Sequence, residues 1–133
     1  MIYSIEPKSP LPIYEQIVTQ ILFAVARGDL EPGNLIPSIR DLAAQLVVHP
    51  NTVARAYQEL EQKAILETKR GRGMEVTLEA VSICRVQRRE IVRSRIREAL
   101  REAVASALSA DEVHGLVEEE WGHLNGHTSP SES

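Results

Sequence analysis

The sequence predicts a mainly α protein: three helices closed by a small β-hairpin, followed by a short two-helix C-terminal region. Three observations carry this. Apolar residues recur at three- and four-residue steps from Ile13 to Val25, from Ile39 to Leu46 and from Val53 to Ala64. The period then changes to two around a basic, glycine-rich turn, Arg70-Gly71-Arg72-Gly73. Beyond Thr77 helical spacing returns and continues to Trp121.

Each element has its own local signals. The first ten residues are short and mixed, end in Ser9-Pro10, and leave room for a brief strand. Pro12 sits in the first turn of a helix, where its missing N–H has no partner to lose. Ile13, Ile17, Ile21, Ala24 and Val25 form the apolar face, Gly28 ends the helix, and Glu31-Pro32-Gly33-Asn34 makes a turn. The second helix opens at Pro37, with Ser38 as N-cap and Asp41 placed to complete a capping box. Its apolar face is Ile39, Leu42, Ala43 and Leu46. After Val47-Val48-His49 the third helix starts at Pro50, with Val53, Ala56, Tyr57, Leu60 and Ala64 as its stripe. Leu66, Thr68, Met74 and Val76 flank a turn whose glycines supply positive φ. A short helix, a tight turn, a longer helix and then a hairpin make a winged helix-turn-helix.

The expected organisation is therefore a winged helix-turn-helix domain at 11–77, a helical region at 78–124, and a polar tail at 125–133 expected to be disordered. In the second region Val81, Val92, Ile96, Leu100, Ala103, Val104, Ala107 and Leu108 predict one long helix, bent or interrupted near its start. Ser109 to Glu112 is a second capping box, opening a last helix with Val113, Leu116, Val117 and Trp121.

Composition narrows the class. With 133 residues there is room for one ordinary domain, or a small one with an appendage. Cys84 is the single cysteine, which excludes an internal disulfide and a cysteine-only metal cluster and suits a reducing compartment. No apolar run approaches the roughly 20 residues that span a bilayer, and Met1 to Glu6 lacks the features of a signal peptide. A cytoplasmic location is the expectation, with no membrane partner. As a total, the net charge of −4 opposes an anionic partner, but the distribution of charge matters more. Six of the 19 acidic residues lie from Asp111 onward, which leaves 13 against all 15 lysines and arginines in what precedes them.

Asn51, Arg55, Gln58 and Gln62 share one face of the third helix, with Thr52 beside them and the apolar stripe opposite. Asn and Gln match adenine edges, Arg matches guanine, and Thr suits a thymine methyl or a phosphate. The N-terminal residues of such a helix enter the major groove, and its free N–H groups would favour a phosphate. Lys69, Arg70 and Arg72 place three cations on the hairpin, where Gly71 and Gly73 permit close backbone approach. A solvated polar face and a solvated basic hairpin are the plain alternatives for each feature alone. Both in one compact unit, in this order, favour double-stranded DNA.

The stretch Leu11 to Val76 closely resembles the DNA-binding domain of GntR-type transcription regulators. The residues that carry the resemblance are Leu11-Pro12-Ile13-Tyr14-Glu15-Gln16-Ile17, Ile36-Pro37-Ser38-Ile39-Arg40-Asp41-Leu42-Ala43, Asn51-Thr52-Val53-Ala54-Arg55-Ala56-Tyr57-Gln58-Glu59-Leu60 and Arg70-Gly71-Arg72-Gly73. The Asn-Thr-Val-Ala-Arg-Ala-Tyr string and the short C-terminal region look like the YtrA subfamily. The resemblance implies a sequence-specific regulator, a repressor, that binds a palindromic operator as a homodimer and has neither catalytic site, cofactor nor metal. The residues expected at DNA are Ser38, Arg40, His49, Asn51, Thr52, Arg55, Lys69, Arg70, Gly71 and Arg72. The chain departs from the family pattern where Val47 replaces a usual Gly, His49 a usual Ser, Ala64 a common Gly and Met74 a usual Thr. Those departures bear on turn geometry more than on DNA binding.

A long apolar-striped helix beside a domain with its own core needs a partner surface, and a second copy is the expected one. The run Arg85, Arg88, Arg89, Arg93, Arg95, Arg97 and Arg101 suits either an anionic surface or a solvated face paired with Glu90, Glu98 and Glu102. His114, His123 and His127 do not share a face, so no metal set is expected. A small-molecule effector of unspecified identity would have little room, since drug-sized sites take several hundred Å³. Two other classes compete. A protein-docking winged helix would favour aromatic anchors at the start of its third helix, where this chain is polar. An enzyme would need a phosphate loop or a nucleophile–base set, and the sequence offers neither.

Overall fold

A computed structural model describes residues 5–126. The element order is α1 (Ile13–Arg27), α2 (Ile39–Leu46), α3 (Pro50–Gln62), β1 (Leu66–Lys69), β2 (Gly73–Val76), α4 (Ala80–Ala105) and α5 (Ala110–Leu124). The two strands pair antiparallel, with Leu66 opposite Val76 and Lys69 opposite Gly73. This is the mainly helical winged helix-turn-helix that the sequence predicts. The chain divides into two compact units at Ile91 and Val92. The N-terminal strand considered for the first ten residues lies partly outside the described residues; residues 5 and 6 form no strand, and 7–10 form a turn and bends. The tail expected to be disordered lies outside them too, apart from Asn125 and Gly126.

The core of the first unit gathers Ile17, Ile21 and Leu22 of α1, Leu42 of α2, Val53 and Leu60 of α3, and Ile65, Leu66 and Val76 of the hairpin, all 2% exposed or less. Burying side chains of this size drives the assembly of short helices that would be marginal alone. The unit runs past Thr77, because Ala80 and Cys84 on the first turns of α4 are fully buried in the same cluster. Burial also pushes the Cys84 thiol up to about 11, so it stays protonated and behaves as a small apolar group. Arg85 Nε donates to Ala26 O at the end of α1 (3.3 Å), which ties α4 to α1.

Two expected core positions fall outside. Ile39 is 37% exposed at the start of α2. Ala64 does not continue the α3 stripe: it turns to φ 65° and ends the helix, while Ile65 N–H reaches back to Leu60 O (2.9 Å). Sequence periodicity also misses a third wing segment. Residues 33–36 run beside β2, with Val76 N–H donating to Asn34 O (2.9 Å) and Ile36 N–H to Met74 O (3.0 Å).

The departure at Val47 has a structural consequence. It caps α2 in the left-handed region, at φ 57° and ψ 53°, with its side chain 88% exposed. A β-branched residue there loses roughly 1–2 kcal/mol to sterics and regains nothing by packing. Val47→Gly is expected to stabilise the first unit by about 1 kcal/mol after the added freedom of the unfolded chain is deducted. A thermal melt checks this, reading a rise of a few degrees.

In the second unit, Ala107 adopts φ 66° and turns the chain between α4 and α5. The expected capping box forms there: Ser109 Oγ accepts from Glu112 N–H (3.1 Å) and Glu112 Oε1 accepts from Ser109 N–H (2.8 Å). From Val92 to Gly126 no residue is buried. Ile96, Leu100, Leu116, Val117 and Trp121 instead line an open groove of about 530 Å³. That volume lies in the drug-sized range, more room than the short C-terminal region implies from sequence.

Candidate nucleic-acid interface

The expected contact residues all lie on the first unit, in the first two turns of α2 and α3 and their caps or at the tip of the hairpin. At the start of α2, Ser38 Oγ accepts from Asp41 N–H (3.1 Å), one of the two bonds of the expected box. Arg40, two residues on, is exposed. Tyr57 of α3 is 2% exposed, and its hydroxyl donates to Pro37 O (2.8 Å). Burial raises its phenol pKa, so it remains a donor at all physiological pH values and holds the start of α2 against α3.

At the start of α3, His49 stands where the family usually has Ser and caps the helix. Its Nδ1 accepts from Asn51 N–H (3.0 Å), and its carbonyl accepts from Thr52 N–H (3.0 Å). Pro50 has no N–H to offer. The free N–H groups expected to attract a phosphate here are therefore already partnered or absent, and only the helix dipole remains for that purpose. His49 acts through this cap. Asn51 and Arg55 are exposed and Thr52 is half-buried, on the side of α3 opposite Val53, Tyr57 and Leu60.

Arg55 has an aromatic neighbour that periodicity alone does not flag. Its guanidinium lies 3.8 Å from the centroid of the Tyr14 ring, and Nη2 donates to the Tyr14 hydroxyl (3.2 Å). Tyr14 in turn donates to Glu15 Oε2 (3.2 Å). Partial burial first, and the Glu15 bond next, raise the phenol pKa, which keeps the hydroxyl protonated. Ile13, Tyr14, Asn51, Thr52 and Arg55 enclose an open concavity of about 430 Å³. The available signal was a tyrosine off the Ile13/Ile17/Ile21 stripe, one residue into α1.

The wing turn carries Lys69, Arg70, Gly71 and Arg72, all exposed. Gly71 and Gly73 sit at φ 80° and 108°, as the tight turn requires. The three cations are not equivalent. Lys69 Nζ lies 3.5 Å from Glu67 Oε2, an exposed pair of small energy. Arg72 Nη1 lies 3.6 Å from Oε2 of Glu75, a residue only 6% exposed. That oxygen is buried and accepts no hydrogen bond. Moving Arg72 to a phosphate would leave a buried carboxylate without its counter-ion, a penalty that Arg70 and Lys69 do not carry.

Elsewhere, Arg101 pairs with Glu98, which fits the solvated-face reading of the arginine run at that point. Among the described residues no three His, Cys, Asp or Glu gather as metal ligands, and His127 lies outside them. No described helix is long and apolar enough to cross a membrane.

Comparison with known proteins bears on this geometry. The family profile "Bacterial regulatory proteins, gntR family" matches residues 13–76. The HTH-type transcriptional repressor YtrA of Bacillus subtilis is 33% identical over 92% of this chain and 94% of its own length. The chain belongs to the GntR family. Within it the C-terminal region aligns as well, so the likeness to the YtrA subfamily extends through both units. A GntR family transcriptional regulator from Listeria monocytogenes superposes with a TM-score of 0.71 at 29% identity, covering 84% of this chain and 97% of that one. The DNA-binding domain of AraR, solved with operator ORX1, matches 57% of this chain and all of that one at 26% identity and a TM-score of 0.50. This GntR protein is thus a DNA-binding transcription regulator, like the relatives it matches.

Proposed function

We propose that this protein is a cytoplasmic repressor that binds a palindromic operator as a homodimer, reading bases with Asn51, Thr52 and Arg55. The observation that carries the reading is the start of α3: exposed polar side chains, capped by His49 and backed by a fully buried stripe. Arg40 and the wing residues Lys69, Arg70 and Gly71 then position the sugar–phosphate backbone, with Arg72 the weaker contributor because Glu75 holds it. The repressor named YtrA supports the sign of regulation, and the AraR–operator complex supports DNA as the partner. Promoter occlusion is the mechanism, relieved when an effector alters the spacing of the two reading heads.

Homodimerisation is supported by the second unit, where two helices bury nothing and share an apolar groove. Charge supports a second copy as the cover. α4 from Val92 on carries Arg93, Arg95, Arg97 and Arg101 against Glu98 and Glu102, whereas α5 carries Asp111, Glu112, Glu118, Glu119 and Glu120 and no Lys or Arg. Two-fold pairing brings unlike surfaces of the two copies together.

A gel shift on DNA from just upstream of the gene, across salt concentrations, tests the reading. Neutralising 6–10 phosphates would weaken binding roughly 10³- to 10⁵-fold between about 50 and 200 mM salt. Arg55→Ala is expected to remove about 1–3 kcal/mol of discrimination at one base pair, whereas Arg70→Ala weakens binding to all sequences alike. Equal affinity for every sequence, from a correctly folded dimer, would sink the specific-regulator reading.

A further inference from the structure

We infer that Tyr14 is a positioning residue of the reading head, holding the Arg55 guanidinium where it meets a base edge. The inference rests on the reading of α3 as the base-contacting helix and adds the first turn of α1 to it. Arg55 is exposed, and a free arginine of this length samples many rotamers that a base contact must then freeze. Here two different interactions from one residue fix it. The Arg55 guanidinium carbon lies over the Tyr14 ring, 3.8 Å from its centroid, and the Tyr14 hydroxyl accepts from Nη2 at 3.2 Å. The cation–π contact holds the guanidinium against the ring, and the hydrogen bond fixes which nitrogen faces the hydroxyl.

The hydroxyl is itself oriented. Because it donates to Glu15 Oε2, its lone pairs turn toward Arg55, and the carboxylate polarises it into a better acceptor. Among the described residues Arg55 donates through Nη2, which leaves Nε and Nη1 as donors for a base. The concavity bounded by Ile13, Tyr14, Asn51, Thr52 and Arg55 places that free edge beside the two other proposed reading residues. α1 thus forms one wall of the site, and Tyr14 tunes specificity without having to touch a base.

The test uses the full chain and a duplex selected from a randomised pool by the wild-type protein, together with its single base-pair variants. Fluorescence anisotropy gives the ratio of affinities at each position. Arg55→Ala first identifies the pair that Arg55 reads. Tyr14→Leu is expected to lower discrimination at that same pair about fivefold and to leave other positions unchanged. Tyr14→Phe keeps the ring and is expected to recover part of the loss. The double variant Tyr14→Leu/Arg55→Ala should discriminate no worse than Arg55→Ala alone, since Tyr14 acts only through Arg55. Unchanged discrimination in Tyr14→Leu, a uniform loss at all sequences that adds to the Arg55→Ala loss, or sharper discrimination from a released arginine would each overturn the inference. If Arg55→Ala itself alters no base preference, the failure lies in the assignment of α3, and the role of Tyr14 falls with it.

Discussion

On the homodimer proposal, replacing Leu116 and Trp121 together by aspartate is expected to give a monomer that binds its operator roughly 10²- to 10⁴-fold more weakly, because the two reading heads lose their linkage. Both side chains line the α4–α5 groove, where they are 48% and 70% exposed in a single chain. Large apolar surface of this kind is what an interface covers, and two carboxylates placed within it would be desolvated without partners. The first unit has its own core and should keep its melting transition, so the loss can be attributed to association. Sedimentation gives the mass and anisotropy the affinity. A variant that remains dimeric, or that binds as tightly as the parent, would remove the C-terminal helices from the dimer proposal.

The second large effect lies in the core. Leu60→Ala is expected to destabilise the first unit by about 2–5 kcal/mol, a substantial share of the roughly 5–15 kcal/mol that holds a small domain together. Leu60 is 0% exposed, on the face of α3 that packs against α1 and the hairpin. Truncation leaves a cavity that a helix pinned by Tyr57 and by the Ile65 bond cannot easily close. Leu78→Ala provides the comparison. Leu78 is 86% exposed, and its loss should fall within about 0.5 kcal/mol. Urea titration of both variants checks the contrast, and a loss below about 1 kcal/mol for Leu60→Ala would contradict the packing described.

Much of this architecture was legible because helical spacing reports burial directly. Ile17, Ile21, Val53, Tyr57 and Leu60 stand in the sequence where the core needs them, and Gly71 marks the turn. The misses have physical causes. Residues 33–36 join the wing through backbone bonds, which leave little side-chain pattern. Ala64 continues the spacing of α3 but sits where the chain has already turned. Glu75, which carries no apolar signal, is nonetheless buried beside the bridge that Leu35 makes to it. At the candidate interface, the residue types at the start of α3 were readable. The Tyr14–Arg55 contact was not, since it joins residues 41 positions apart through a tertiary crossing of α1 and α3. His49 stands at the cap position in the sequence, but only the backbone geometry shows which N–H groups it occupies.

A stretch of 35 residues that hides no side chain from water, Val92 to Gly126, has a consequence for how the protein responds to its own abundance. On the homodimer reading, the order of that stretch is governed by mass action, so its melting temperature rises with protein concentration while that of the first unit does not. Operator occupancy then follows protomer number more steeply than in proportion. Modest changes in synthesis or degradation translate into a sharper switch at the promoter, with no ligand required.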